Sequence, residues 1–350
     1  MRSSDSGLHK RGKPQSRYRL VILFAGGRVR YWFVLLLSVP LVLNAQRWLP
    51  PLTIDGQPDL QGVWNFGSNV PLERPDNLGA KEFYTPQEAA EKLKQGFQGD
   101  RAVTGGAHYD LSQFGLDPSQ ATYPPNLRTS LIVGPEGKIP PETPAAEQRD
   151  AADTARQKGH EFDGPENRPL GERCILFPTV GPPMLPFAYN NNLQIFQSAG
   201  YVAILQEIVH DVRVIPIDGS LGGRPHLPAT IRQWRGDSRG HWEHNTLVVD
   251  TTNFSGQGVF FASATESLHV IERFTRTAED TLLYEFTVED PATWVRPWTA
   301  QLPMMKDPHR IFEFACHEGN YGMANTLSGA RAADALRAPA DRQPSGTKPQ

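Results

Sequence analysis

Cysteine is scarce in this chain: Cys174 and Cys316 are the only two among 350 residues. Two thiols so far apart are not at finger spacing and cannot build a structural zinc site on their own, which leaves one long-range bridge or two buried thiols. A basic surplus is also missing. The net charge of -3 gives no footprint for nucleic acid and no polybasic case for an anionic membrane surface. No P-loop, no Gly-x-Gly-x-x-Gly opening a helix, no Gly-x-Ser-x-Gly elbow and no His-Glu-x-x-His occurs. No internal repeat is present. Nothing in these patterns asks for a cofactor, and neither a cofactor nor a metal is expected. His241 and His244 stand three apart, but Gly240 before and Asn245 after read as a turn, and on a strand the two rings would face opposite sides. Only a fold that gathered His210, His226, His269 and His317 would make an imidazole cluster suited to zinc, copper or iron.

Glycine and proline are plentiful, 31 of each. That abundance disfavours a helical bundle and suits a turn-rich β protein. The first 30 residues are basic with Asp5 as their single acid, and Tyr31–Leu43 is an apolar run of signal-peptide length. It is shorter than a bilayer span needs and Pro40 interrupts it. Residues 1–45 are therefore read as an export signal cleaved near Ala45, the rival being an uncleaved membrane anchor. A periplasmic or extracellular location follows, with membrane contact only if the apolar segment is retained. Residues 46–335 are expected to form one β-rich domain, and 336–350 a disordered tail.

Along that domain, Gly62-Val63-Trp64 opens a strand. Residues 67–192 are an excursion of helices and loops. Thr85, Pro86 and Glu88 form a capping-box start to a helix over Pro86–Gln95, and Pro144 opens a second one that ends at Gly159. Prolines at 165, 169, 178, 182, 183 and 186 exclude regular structure up to Leu193. From there the chain becomes a meander over 193–317. The expected strands are Leu193–Gln197, Tyr201–Ile208, Asp211–Ile217, Thr246–Thr252, Leu268–Arg276, Thr281–Glu289, Trp298–Met304 and Arg310–His317, with Gly240–Glu243 beside a turn. Leu282, Tyr284, Phe286 and Val288 alternate with polar neighbours, the signature of one buried and one wetter face. Strands at this spacing without intervening helices predict a mainly β protein, an antiparallel β-barrel or strongly curved meander sheet.

The Gly62-Val63-Trp64 opening resembles that of lipocalin-like barrels, in which the tryptophan plugs the closed end. The segments RPHLPATIRQWRGDSRGHWEHNTLVVDTTNF, YEFTVEDPATW and FACHEGNYGMAN, with RCILFPTVGPPMLPFAYNNNLQIFQ before them, resemble an uncharacterised family of exported bacterial proteins over most of 58–335. That resemblance implies a single secreted barrel domain and brings no reaction with it.

Three places carry chemistry. Glu207, His210, Asp211 and Arg213 interrupt an apolar ladder; an Arg213–Asp211 pair facing the barrel interior would orient a polar ligand group, and facing solvent it is a surface ion pair of little consequence. Arg224 and His226, with Arg232, lie on a proline-stiffened loop, where they suit an anion or acid–base role at a cavity mouth, or a packed loop whose arginines cap carbonyls. His317 follows Cys316 beside Glu318 and Tyr321, either as proton-transfer groups or as the surroundings of a disulfide. The leading expectation is a barrel that binds a small, largely apolar ligand, with Glu207, Asp211, Arg213, Arg224 and His226 at its mouth or interior. The alternatives are an enzyme on the same barrel, a hydrolase, isomerase or lyase with His210 or His317 as acid–base group, and an envelope structural or interaction protein with no pocket.

Overall fold

The computed structural model describes residues 48–100, 124–187, 189–218, 225–257 and 264–337, with the side chains of 95–100 excepted. The chain divides into two compact units, Met1–Gln46 and Arg47–Gln350. The expected export signal, residues 1–45, lies outside the described residues, as does most of the expected tail.

Nine strands close into a single barrel: β1 (Gly62–Asn65), β2 (Asn192–Ser198), β3 (Tyr201–Gln206), β4 (Val212–Asp218), β5 (Asp237–Glu243), β6 (Thr246–Thr252), β7 (His269–Arg276), β8 (Thr281–Glu289) and β9 (Trp298–Asp307). Each antiparallel contact reverses the chain direction, and a closed ring needs an even number of reversals. An odd-numbered barrel therefore requires a parallel contact, and the structure has it at β4–β5, where Ile217 faces Gly240 and Asp218 faces His241. The other neighbours pair antiparallel, β1 closing onto β9 through Val63–Asp307 and Trp64–Lys306. The parallel contact obliges the β4–β5 connection to travel back along the barrel, so residues 225–236 lie against the wall. Gly240 permits the junction. A Cβ there would stand 2.3 Å from the Ile217 Cδ1 and 3.1 Å from the Ile215 Cγ2, closer than packed carbons tolerate.

The inward positions alternate as strand geometry dictates. Val270, Phe274, Leu282, Tyr284, Phe286, Val288, Ala300, Leu302 and Met304 are all buried in one continuous cluster with Trp64, Leu193, Ile204 and Ile215. Trp64 closes one end. Its indole Nε1 donates to the Leu60 carbonyl at 2.9 Å, and the Arg276 guanidinium lies 5.6 Å from the ring centroids of both Trp64 and Trp48. The other end is covered by the excursion between β1 and β2, through Leu131, Ile132 and the proline-rich segment around Met184.

In the excursion, α1 (Pro86–Asp100) starts with a reciprocal capping box. The Glu88 amide donates to Thr85 Oγ1 at 3.3 Å and the Thr85 amide to Glu88 Oε2 at 2.8 Å. The second helix, α2 (Pro144–Gln157), is capped by Thr143 and rests on the barrel through buried Ala146 and through Arg149, which donates to the Ala292 carbonyl at 3.1 Å. A third helix, α3 (Tyr321–Arg337), follows the disulfide and buries none of its side chains.

Two expectations fail. The stretch from Gly240 to Asn245, read as a turn, is strand up to Glu243 and turns only at His244-Asn245: Asp237, Arg239, His241 and Glu243 point outward and Ser238, Gly240 and Trp242 inward, so a polar strand without β-branched residues still alternates correctly. Arg310–His317 is not a strand. Once β1 has paired with β9 the ring has no free edge for it, and the segment instead packs against the 207–210 turn.

Candidate functional site

Three groups of ionisable side chains stand out among the described residues. The first crosses the barrel interior. Arg213 on β4 donates from Nη1 and Nη2 to the two oxygens of Glu272 on β7, at 2.6 and 2.9 Å. The Tyr284 hydroxyl donates to Glu272 Oε1 at 2.8 Å and accepts the Met184 amide at 2.9 Å. Gln206 reaches Met184 Sδ from β3 at 2.7 Å. Burial pushes the Tyr284 hydroxyl well above the usual tyrosine value and the Glu272 charge adds to it, so this group stays a neutral donor. For Arg213, burial works against the charge and the Glu272 carboxylate outweighs it, raising its value. Side chains of β4, β7 and β8 and the Met184 backbone thus meet across the lumen, where a ligand would have to displace them. The expected Arg213–Asp211 pair does not form. Arg213 points inward to Glu272, while Asp211, at the mouth, takes Arg235 at 2.6 Å. Burial lowers Arg235 to about 10, opposed by the Asp211 charge, and the guanidinium is used up on Asp211 and on the carbonyls of Gly181 and Val180 at 2.9 and 3.1 Å.

The second group surrounds Glu207. Its carboxylate is buried and accepts from Asn190 Nδ2 at 2.7 Å, Asn192 Nδ2 at 3.2 Å and the Phe312 amide at 3.3 Å. Phe314 donates its amide to His210 Nδ1 at 3.5 Å. Val209 and His210 have φ of 52° and 54°, a left-handed conformation that a β-branched residue adopts only when its surroundings impose it. Nearby, Cys174 and Cys316 form a disulfide with Cα atoms 5.8 Å apart. Glu207 and His210 therefore hold the 310–316 segment against the barrel mouth. His317 is exposed just beyond the bridge, and no contact between it and His210 is seen among the described residues. Arg224 lies outside the described residues.

The third group is on the outer wall of β5–β8. His226, on the returning connection, faces Asp237 Oδ2 through Nδ1 at 2.9 Å and Asp250 Oδ1 through Nε2 at 3.1 Å. His269 meets both oxygens of the same Asp250 through Nε2 at 3.1 Å and Glu289 Oε2 through Nδ1 at 3.1 Å. Arg239 adds a pair to Asp237 at 2.9 Å. Carboxylates and imidazoles alternate along this chain, each ring set between two carboxylates. The bond to Asp250 is the largest influence raising His269, helped by Glu289 and opposed by burial. Burial alone would push Asp250 up, but the bond from His269 and the charges of both imidazoles hold it below the usual carboxylate value. Of the four histidines whose gathering the sequence left open, the fold brings His226 and His269 to one carboxylate and leaves His210 and His317 elsewhere. Asp237 and Asp250 were not identifiable, because a polar residue on the wet face of a strand is unremarkable until a neighbour is placed beside it.

No group of His, Cys, Asp or Glu with metal-holding geometry occurs among the described residues. An apolar cleft at the barrel mouth, between Phe177, Pro182, Trp234, Phe254 and Leu268, has about 20 Å³ of free volume, room for about one water. Larger clefts of about 490 and 210 Å³ open on the surface, one beside His160 and Arg173 and one beside Asp55 and Trp242. No helix among the described residues is long and apolar enough to cross a membrane. In comparisons with known proteins, no family model, no curated protein and no solved structure matches this chain.

Proposed function

We propose that this is an exported envelope protein that acts through its outer surface, as a structural or interaction module, with the lumen given over to its own side chains. The observation that carries the reading is the contact across the lumen, Arg213 to Glu272 to Tyr284 to the Met184 amide. A ligand-holding barrel leaves this middle layer open and lines it with apolar walls. Export is supported by the apolar run at Tyr31–Leu43 and by the Cys174–Cys316 bridge, which suits an oxidising compartment. The resemblance to exported bacterial proteins points the same way. Native mass spectrometry of protein purified from its natural source tests this directly. The expected mass is that of the processed chain with one disulfide; a stoichiometric small molecule retained on the folded protein would contradict the reading.

A second reading, an acid–base enzyme, is favoured by the convergence of His226 and His269 on Asp250. In it Asp250 and its two imidazoles act as a proton relay on the open wall of β5–β8. A screen of esters, lactones and α-proton exchange substrates, run on wild type and Asp250→Asn, separates the two. Turnover that Asp250→Asn abolishes in a folded protein supports the enzyme; absent turnover, or turnover indifferent to the substitution, removes it.

A further inference from the structure

The barrel is two-faced on its outside. On β5–β8 the outward positions include Asp237, Arg239, Glu243, Asp250, Arg273 and Glu285. On β2–β4 the outward positions carry one charge, Asp218 at the end of β4, and Asn192, Gln194 and Ser198 are the polar ones; the rest are apolar. The registers align them in rows, Ser198–Tyr201–Pro216, Phe196–Ala203–Val214 and Gln194–Leu205–Val212. Phe196, Tyr201, Val212 and Val214 are 45%, 44%, 51% and 57% exposed. Large apolar side chains gathered in three uncharged rows of one sheet face mark an interaction surface.

The beginning of the domain lies at the end of the barrel that carries the β2–β3 turn. Residues 53–57 border one cleft together with the β2–β3 turn at Ser198–Gly200, and Gln197 on β2 is tied to the Pro58 carbonyl at 3.0 Å and to the Leu60 amide at 2.6 Å. The same segment exposes Leu49, Leu52 and Ile54, at 66%, 64% and 102%. Trp48, where the described chain begins, is five residues after the apolar run Tyr31–Leu43.

We infer that the outer face of β2–β4, with the apolar tip Leu49–Ile54, docks on a lipid bilayer. This goes beyond the surface-acting reading above, rests on it, and names the partner. A bilayer interface accepts a shallow layer of Phe, Tyr, Val, Leu and Ile, and Tyr201 and Trp48 are residue types favoured at headgroup depth. A second copy of the chain is the less favoured occupant. Three strands about 4.8 Å apart and some six residues long cover on the order of 300 Å², well below the roughly 800 Å² per partner of a stable interface. With no charge in the three rows, docking should depend little on lipid charge or salt.

The full-length chain has no cysteine outside the disulfide, so a single added cysteine takes an environment-sensitive fluorophore selectively. Val214→Cys on the apolar face and Thr287→Cys on the charged wall are labelled and reconstituted in phosphatidylcholine vesicles carrying a shallow spin-labelled lipid. Expected are a blue-shifted emission and several-fold stronger quenching at 214 than at 287, persisting in high salt and lost when Val212→Glu is added. Equal quenching at the two positions overturns the proposal even if the chain remains on the vesicles through its apolar run. So does energy transfer between copies labelled at 214 without lipid quenching, which assigns the face to a dimer. Neither readout depends on whether the lumen is filled, so failure here is distinct from finding a retained ligand.

Discussion

At the scale of single residues, two networks make opposite kinds of prediction. The interior pair Arg213–Glu272 is fully desolvated, so removing one partner strands a buried charge. Glu272→Leu is expected to destabilise the fold by about 3–5 kcal/mol, whereas Arg213→Met, Glu272→Leu and Tyr284→Phe together should be neutral or stabilising, because an ion pair out of water barely repays its desolvation. The orphaned Arg213 Nε and Gln206 Oε1, buried without a partner among the described residues, add to the cost of keeping polar groups there. Urea denaturation of the single and triple variants decides it. The outer network responds instead to pH. His269 is raised above 6.5 in the fold, so its stabilisation is complete below 6.5 and is lost as pH rises through the raised value. Asp250 is lowered below 3.8, so its share is present above 3.8 and is lost as pH falls through the lowered value. The thermal midpoint should therefore fall in wild type as pH rises from 6 through that raised value, and His269→Gln should flatten the fall. Parallel curves would show that the ring contributes nothing through its charge.

At the scale of elements, closure of the ring is enforced at few points. Gly240→Ala places a methyl against Ile217 and Ile215 at the parallel β4–β5 junction, and a loss of about 1–3 kcal/mol is expected, as for overpacking elsewhere. The Cys174–Cys316 bridge ties the segment after β9 to the excursion before β2 across 142 residues, and reducing it should cost about 4–5 kcal/mol on the chain-entropy account. Chemical denaturation with and without reductant measures that. Most of the elements were legible because their signals are local. Thr281–Glu289 alternates perfectly and carries its turn at Glu279-Asp280, and the capping box at Thr85 and Glu88 names its helix. β5 was not legible, since DSRGHWE lacks the β-branched residues that announce a strand and owes its place to β4 and β6. The candidate sites were legible only in part. Arg213 meets Glu272 over 59 residues and His226 meets Asp250 over 24, and such pairings are set by barrel register, which local pattern does not encode.

At the scale of the whole molecule, the barrel presents three different environments: a lumen crossed by aromatic and ionic contacts, a charged wall on β5–β8 and a mostly apolar wall on β2–β4. The lumen decides which account of function stands, because the surface reading requires it to be full. Its middle layer is tied together by Met184 and Tyr284, which are completely buried. Titration of the purified protein with a fluorescent apolar probe such as 1-aminoanthracene is the most direct test. A full lumen predicts no saturable enhancement. One-to-one saturable binding that Met184→Trp abolishes would place a ligand cavity inside the barrel and contradict the account.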